Sequence, residues 1–365
     1  MEKLQTTIKK IFDMAVENGH ERGLQVAVYH HGRLVVDAWA GTADVNTGAQ
    51  VLRSTLFPVF STTKGIVATV IHLMAERGQL SYDNKIADFW PEYGANGKEN
   101  TTIMHALYHT SGIPQLPKEL TAPQMADWDG MCKLIANLSP LWEPGSRMEY
   151  HALNYGWILG ELARRIDGRP FSQILAEDIC QPLGIENDMY VGAPATEENR
   201  IAFLEEPGVK PEALNTGGIV SIPDGANPLP MWMNRTDART SCQPGANGVM
   251  TAHAIAKLYA SMLPGGVDGT ELFPLSRIQA ATRPLELHQE DLPPVGLGYR
   301  LGGKDVIIGE SLLVFGHGGY GCSLGFLDLQ HGFAFGFTRN LITPASDGFS
   351  KKIVDTVRAN LPSTN

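Results

Sequence analysis

Ser61-Thr62-Thr63-Lys64 lies between the apolar stretch Leu56-Phe57-Pro58-Val59-Phe60 and the helical-looking run Gly65–Arg77. A serine where a chain enters a helix sits beside unpaired backbone N–H groups, at the positive end of the helix dipole. A lysine three residues later shares that helix face and reaches the hydroxyl. If burial keeps the amine uncharged, it can remove the serine's proton and create an alkoxide-like nucleophile, the chemistry of acyl transfer. The same residues also describe a capped helix with a solvated lysine in its first turn. The rest of the chain has to separate the two.

Such a nucleophile needs a second proton carrier and a site for an oxyanion. Tyr150 follows the loop Trp142-Glu143-Pro144-Gly145-Ser146-Arg147 and precedes a helical pattern with Tyr155, Trp157 and Leu159. At the mouth of a helix its phenol can project into a cleft; an interface tyrosine with a satisfied hydroxyl would look the same. The segment Phe315-Gly316-His317-Gly318-Gly319-Tyr320-Gly321 is the third element. Glycines in a strand mark close backbone approach, here of an edge strand to a substrate carbonyl, although a tight turn explains them equally.

Two other patterns carry less. Gly321-Cys322-Ser323-Leu324-Gly325 has the Gly-x-Ser-x-Gly form of a nucleophile elbow. That device needs a helix after the serine and a distant acid and histidine, whereas strand-like residues follow, with Asp328 and His331 in the next hairpin. His30-His31 falls in a turn, His288-Gln289-Glu290-Asp291 lacks a helix-face partner, and there is no His-Glu-x-x-His, so no metal and no cofactor are expected.

The elements that must hold these residues are legible in outline. Leu4, Ile8, Ile11 and Ala15 predict an amphipathic first helix, and Leu24–Tyr29 and Leu34–Trp39 predict a hairpin. Helices are predicted after Ser61 and over Thr102–His109, Met125–Asn137, Leu153–Ile166, Phe171–Gln181, Ala252–Leu263 and Phe349–Asn360. Strands are predicted at Ser311–Phe315, Cys322–Asp328 and Gly332–Thr338. Glu205–Pro244, rich in Pro, Gly and Asn, and the stretch near Pro284–Pro294 are expected to be loops; loops as long as the first often wall a binding site. The expectation is an α/β (α+β) fold: an antiparallel sheet from both termini (residues 1–60 and 245–365), flanked by helices, with a mostly helical insertion over 61–244.

The chain has 365 residues, 43% hydrophobic and 19% charged, with a formal net charge of −10. That charge argues against nucleic acid or an anionic membrane as a partner. The apolar stretch near Ile66–Ala75 is too short to span a bilayer, and the first ten residues lack the apolar core of a signal peptide. Cys132, Cys180, Cys242 and Cys322 have no paired spacing and are expected to be free thiols in a reducing compartment, which makes a cytoplasmic location the expectation.

Taken together, Ser61-x-x-Lys64, Tyr150-His151-Ala152 and His317-Gly318-Gly319 resemble, in order and spacing, the serine β-lactamase/penicillin-binding protein superfamily. The chain is most similar to its class C-like branch, which includes the family VIII carboxylesterases. His105-Ala106-Leu107-Tyr108-His109-Thr110-Ser111-Gly112-Ile113, Trp142-Glu143-Pro144-Gly145, Gly245-Ala246-Asn247-Gly248 and the text after Gly318 extend the likeness from about Gly23 to Leu361. The resemblance implies one β-lactamase-like unit, a catalytic set of Ser61, Lys64 and Tyr150, and an oxyanion site from the backbone N–H groups of Ser61 and Tyr320. It implies substrate-binding positions at His317, Gly318, Gly319, His151 and Ala152. Two departures matter. Ala152 replaces an asparagine and His317 replaces a lysine of the β-lactamases, which removes an amide and a fixed cation and favours a neutral small-molecule ester over an anionic antibiotic. The implied activity is ester hydrolysis through an acyl-enzyme. A β-lactamase, a D-amino-acid peptidase, an acyltransferase and a non-catalytic binding relative remain the alternatives.

Overall fold

Residues 2–207, 215, 217–289, 292–343 and 348–361 are described by the computed structural model, so residues 208–214 and 216 of the first expected loop and Glu290 and Asp291 of the second lie outside it. In chain order the elements used below are α1 (Glu2–Glu17), β1 (Gly23–His30), β2 (Arg33–Asp44), β3 (Ala49–Gln50), β4 (Phe57–Pro58), α2 (Thr62–Glu76), α3 (Trp128–Asn137), α4 (Asn154–Asp167), β5 (Met189–Val191), β6 (Gly248–Met250), α5 (Ala252–Ala260), β7 (Arg300–Leu301), β8 (Val314–Gly318), β9 (Leu324–Asp328), β10 (Phe333–Arg339) and α6 (Phe349–Asn360).

Both ends of the chain build one antiparallel sheet in the order β3-β2-β1-β10-β9-β8-β7. The central pairing of β1 with β10, Val26 opposite Phe337 and Val28 opposite Phe335, joins the two termini. Every residue of β1 is buried, yet its period-two pattern still sorts side chains between faces. Leu24, Val26 and Val28 pack with Leu4, Ile8 and Phe12 of α1 and with Ile353 and Val357 of α6, whereas Ala27 and Tyr29 join the larger core containing α2 and α5. Gln25, polar within a buried strand, is satisfied by donating to the carbonyls of Leu52 (2.7 Å), Arg53 (3.2 Å) and Thr55 (3.0 Å).

Several boundaries differ from expectation for local reasons. In α1 the buried stripe takes Phe12 rather than Ile11, which is only half-buried. The predicted helix Met125–Asn137 breaks because Asp127 accepts from the Gly130 N–H (3.1 Å) and caps α3, leaving a short helix Ala122–Ala126 before it. The strand expected at Ser311–Phe315 starts only at Val314, because Ser311 opens a turn closed by the Val314 N–H (3.0 Å). That shift puts His317 and Gly318 inside the sheet, opposite Gly325 and Leu324. The Glu205–Pro244 loops carry short helices at Leu229–Met233 and Thr236–Thr240.

A second, small sheet in the order β4-β6-β5 was not foreseen, since its strands hold only two or three residues each. It fixes the approach to Ser61: Phe57 pairs with Met250, the Val59 N–H donates to Gly248 O (2.9 Å), and the Gly248 N–H donates to Thr63 Oγ1 (3.0 Å).

Candidate active site

Ser61 is the residue before α2 and makes no capping bond with its side chain, so its hydroxyl is left to its neighbours. Phe60, fully buried just ahead of it, has a φ of 46°, a left-handed conformation that only the surrounding packing can hold. From Thr62 to Ala75 every residue of α2 is buried, which makes it a central helix rather than a surface one. Lys64 is therefore not a solvated first-turn residue: its exposure is 0%.

The Lys64 amine has three partners. Nζ donates to the carbonyls of Ala152 (2.6 Å) and Gly245 (2.6 Å) and lies 3.1 Å from Ser61 Oγ. A neutral amine has two N–H bonds and one lone pair, so the two carbonyls accept the hydrogens and the lone pair is left facing the Ser61 hydroxyl. Burial, reinforced by the Arg300 guanidinium, pushes Lys64 well below the usual lysine range.

Tyr150 completes the group. Lys64 Nζ lies 4.9 Å from the centre of its ring. Burial raises the phenol's pKa, while Arg300 and a hydrogen bond with Ser61 pull it back. The Tyr150 ring stacks with His317 (6.3 Å between centroids) and packs against His109 (4.7 Å). His317 donates from Nδ1–H to the Gly318 carbonyl (2.7 Å), and burial holds it well below the usual histidine range, so it stands in the wall as a neutral ring.

Glycines allow this convergence. A Cβ on Gly319 would lie 2.1 Å from Val59 O and 2.3 Å from Ser323 Oγ, so only glycine lets the end of β8 press against the Ser61 turn. Gly65 plays the same part on α2, where a Cβ would come within 3.3 Å of the His317 Cβ and 2.3 Å of the Tyr259 hydroxyl. The turn and loop bonds around the site start from the N–H groups of Thr62, Thr63, Lys64, Gly319 and Cys322, and those of Ser61 and Tyr320 take part in none of them.

A cavity of about 460 Å³ opens over this arrangement, lined by Ser61, Tyr150, Ala152, His317, Gly318 and Tyr320 among others. Its apolar wall includes Phe60, Leu153, Ile222, Leu229, Ile307 and Leu324. Two residues expected at the substrate stand behind the wall instead. His151 is buried at 1% exposure, where its Nε2 accepts from the Ile113 N–H (3.2 Å) and meets Ser111 Oγ (2.9 Å), and its Nδ1 meets Glu149 O (2.6 Å). Gly319 packs beneath the Ser61 turn. Ala152 lines the cavity but also acts through its carbonyl, on Lys64, a role its side-chain type could not announce.

Ser323 sits elsewhere in function. Buried at 3% exposure, its hydroxyl donates to Val59 O (2.8 Å) and meets Thr62 Oγ1 (3.0 Å), tying β9 to the start of α2. Asp328 is at the far end of β9, roughly 16 Å away along an extended strand, and pairs with His331 and Arg358.

Sequence reasoning missed three contributors. The Gly245 carbonyl falls in a segment noticed only for its likeness, His109 in another. Arg300, which lines the cavity with its guanidinium carbon 5.5 Å from the Tyr150 ring centre, gave no local signal at all. It puts a guanidinium on the cavity wall at a place other than the third motif, where His317 replaces the lysine of the β-lactamases.

The β-lactamase family model matches residues 8–356. The chain is 31% identical over 348 residues to the esterase/β-lactamase LipL of Mycobacterium tuberculosis, covering 88% of this chain and 78% of that one. Among solved structures, a penicillin-binding protein homologue from Caulobacter crescentus superposes with a TM-score of 0.86 at 32% identity, covering 98% of this chain and 97% of the other. A family VIII carboxylesterase superposes with a TM-score of 0.85 at 28% identity and the same coverage. A match spanning the sheet, the α2 helix and the cavity wall carries the conclusion that the chain belongs to the β-lactamase family, within the serine β-lactamase/penicillin-binding protein superfamily.

Proposed function

We propose that the protein is a serine carboxylesterase working through an acyl-enzyme on Ser61. The observation that carries this is the Lys64 amine, buried, with two carbonyls on its hydrogens and Ser61 Oγ at 3.1 Å. Lys64 takes the hydroxyl proton as Ser61 Oγ attacks the ester carbonyl. The developing oxyanion faces the backbone N–H groups of Ser61 and Tyr320. Collapse breaks the bond to the alcohol, which leaves with a proton delivered through Tyr150. Water, deprotonated by the same pair, then releases the acid and restores the serine. Lys64 and Tyr150 titrate together, so the base is the pair.

The apolar lining and the neutral His317 support a small ester, and likeness to LipL and to the family VIII carboxylesterase supports the reaction class. Ser61 and Tyr150 come from the 61–244 part, His317 and Arg300 from the 245–365 part, which supports treating both as one catalytic unit. A cytoplasmic location is supported by four free cysteines; among the described residues no helix is long and apolar enough to cross a membrane.

Ser61→Ala tests the reading. It is expected to abolish turnover of a short-chain p-nitrophenyl ester with the fold retained by circular dichroism. Turnover surviving at the original rate would end it. A chromogenic cephalosporin and a D-alanyl peptide assayed alongside distinguish the esterase from the β-lactamase and peptidase alternatives, and an added alcohol acceptor distinguishes the acyltransferase.

A further inference from the structure

Arg300 opens β7, the edge strand of the large sheet, where it pairs with Gly316 of β8 and forms an isolated antiparallel bridge with Val295. Other arginines around this sheet have carboxylates: Arg339 meets Glu21 at 2.7 Å and Arg358 meets Asp328 at 3.0 Å. Arg300 has no ion pair among the described residues. Glu149, the acidic residue of the cavity wall, is engaged by Arg147 at 2.8 Å. A guanidinium does not lose its proton in a protein, so a permanent positive charge stands in this cavity without a counter-ion, beside the Tyr150 ring.

We infer that Arg300 is a positioning residue for the proton transfers of Ser61, Lys64 and Tyr150, its guanidinium acting as the fixed charge that excludes a second cation from the Lys64 amine. A positive charge nearby disfavours protonated lysine and favours a phenolate on Tyr150. Both effects push the shared proton out of the resting pair and ready it to receive the proton of Ser61. The groups facing the pair leave Arg300 as the remaining permanent charge. His109, His151 and His317 are held down chiefly by burial and stand neutral, Tyr155 is held up chiefly by burial, and Glu149 is engaged by Arg147. After burial, Arg300 is the next influence lowering Lys64. At the third motif, where the β-lactamases carry a lysine, His317 stands neutral; the fold supplies a fixed charge from β7 instead.

This inference rests on the acyl-enzyme reading, so its test reads Ser61 without needing the natural ester. The rate at which a p-nitrophenyl phosphonate labels Ser61, followed by intact mass between about pH 5 and 10, reports how readily the pair accepts the serine proton. In Arg300→Gln the acid limb of that profile is expected to move up by about one pH unit, so labelling slows about tenfold on the limb and little on the alkaline plateau. Arg300→Lys keeps a charge and is expected to restore most of the limb. An equal loss at every pH in Arg300→Gln would make the residue merely structural and overturn the inference. So would an unmoved limb with KM raised only for carboxylate-bearing esters, which would make Arg300 a substrate anchor. Labelling with the expected shift but no ester turnover in the unsubstituted chain would remove the esterase reading and leave Arg300's role standing; no labelling of Ser61 would remove both.

Discussion

Two lysines in this chain have no exposed surface, but they lie at different depths and their surroundings give them opposite characters. Lys98 donates to three backbone carbonyls, those of Ala95 (2.8 Å), Ala136 (3.0 Å) and Leu138. Ala136 and Leu138 belong to the C-terminal end of α3, where the helix dipole favours a cation. Lys64 donates to two carbonyls, and its third partner is a hydroxyl. It also sits in the first turn of α2, where the dipole opposes a cation, and beside Arg300. Burial lowers Lys98 only to about 8, so it remains an ammonium at neutral pH, while Lys64 is pushed much further. Burial is the larger influence on both, and Lys64 lies deeper in the protein than Lys98; the neighbouring charges, Arg300 beside Lys64 and Glu99 beside Lys98, then push the two further apart.

The widest separation between the two should appear on replacing each with methionine. Lys64→Met is expected to lower ester turnover about a thousandfold or more, the scale of a lost general base, with the melting temperature unchanged or raised because a costly buried group has gone. Full turnover in that variant would erase the distinction. Lys98→Met should do the reverse. Its carbonyls lose their donor, so urea unfolding should show a loss of about 3 kcal/mol while kcat stays within about twofold.

Ser323→Ala sharpens the same contrast on the serines. Its hydroxyl tethers Val59 and Thr62, so about 1 kcal/mol of stability should go and turnover should persist. A folded but inactive protein would instead make Ser323 the nucleophile.

The smallest effect concerns pH. The folded-state pKa of Lys98, about 8, lies below the 10.5 of a free lysine, so between those values the unfolded chain binds more protons than the folded one. Its contribution to stability is therefore lowest below about pH 8 and recovers as pH rises toward 10.5. The gap between the parent chain and Lys98→Met, measured by urea midpoint, should widen in the parent's favour across that window. A pH-independent gap would show that Lys98 does not titrate there.

The sheet from both termini was legible because β1, β9 and β10 carry period-two apolar patterns long enough to stand out. The small β4-β6-β5 sheet was not, since strands of two or three residues leave no periodicity. Of the candidate site, Ser61, Lys64 and Tyr150 were nameable and converge on one cavity or its floor. His151 was misplaced because adjacency to Tyr150 says nothing about which way a side chain turns, and here it turns inward to Ser111 and Ile113.

What the sequence alone determined was the meeting of Ser61 with Lys64. Three residues along a helix is a distance set by backbone geometry, independent of the rest of the fold. Whether that lysine carries a charge was decided only by the tertiary structure. The two carbonyls on its hydrogens come from Ala152 and Gly245, and the guanidinium that opposes its protonation comes from Arg300. Protonation depends on the total field and solvation at one point, which are sums over segments that only folding brings together.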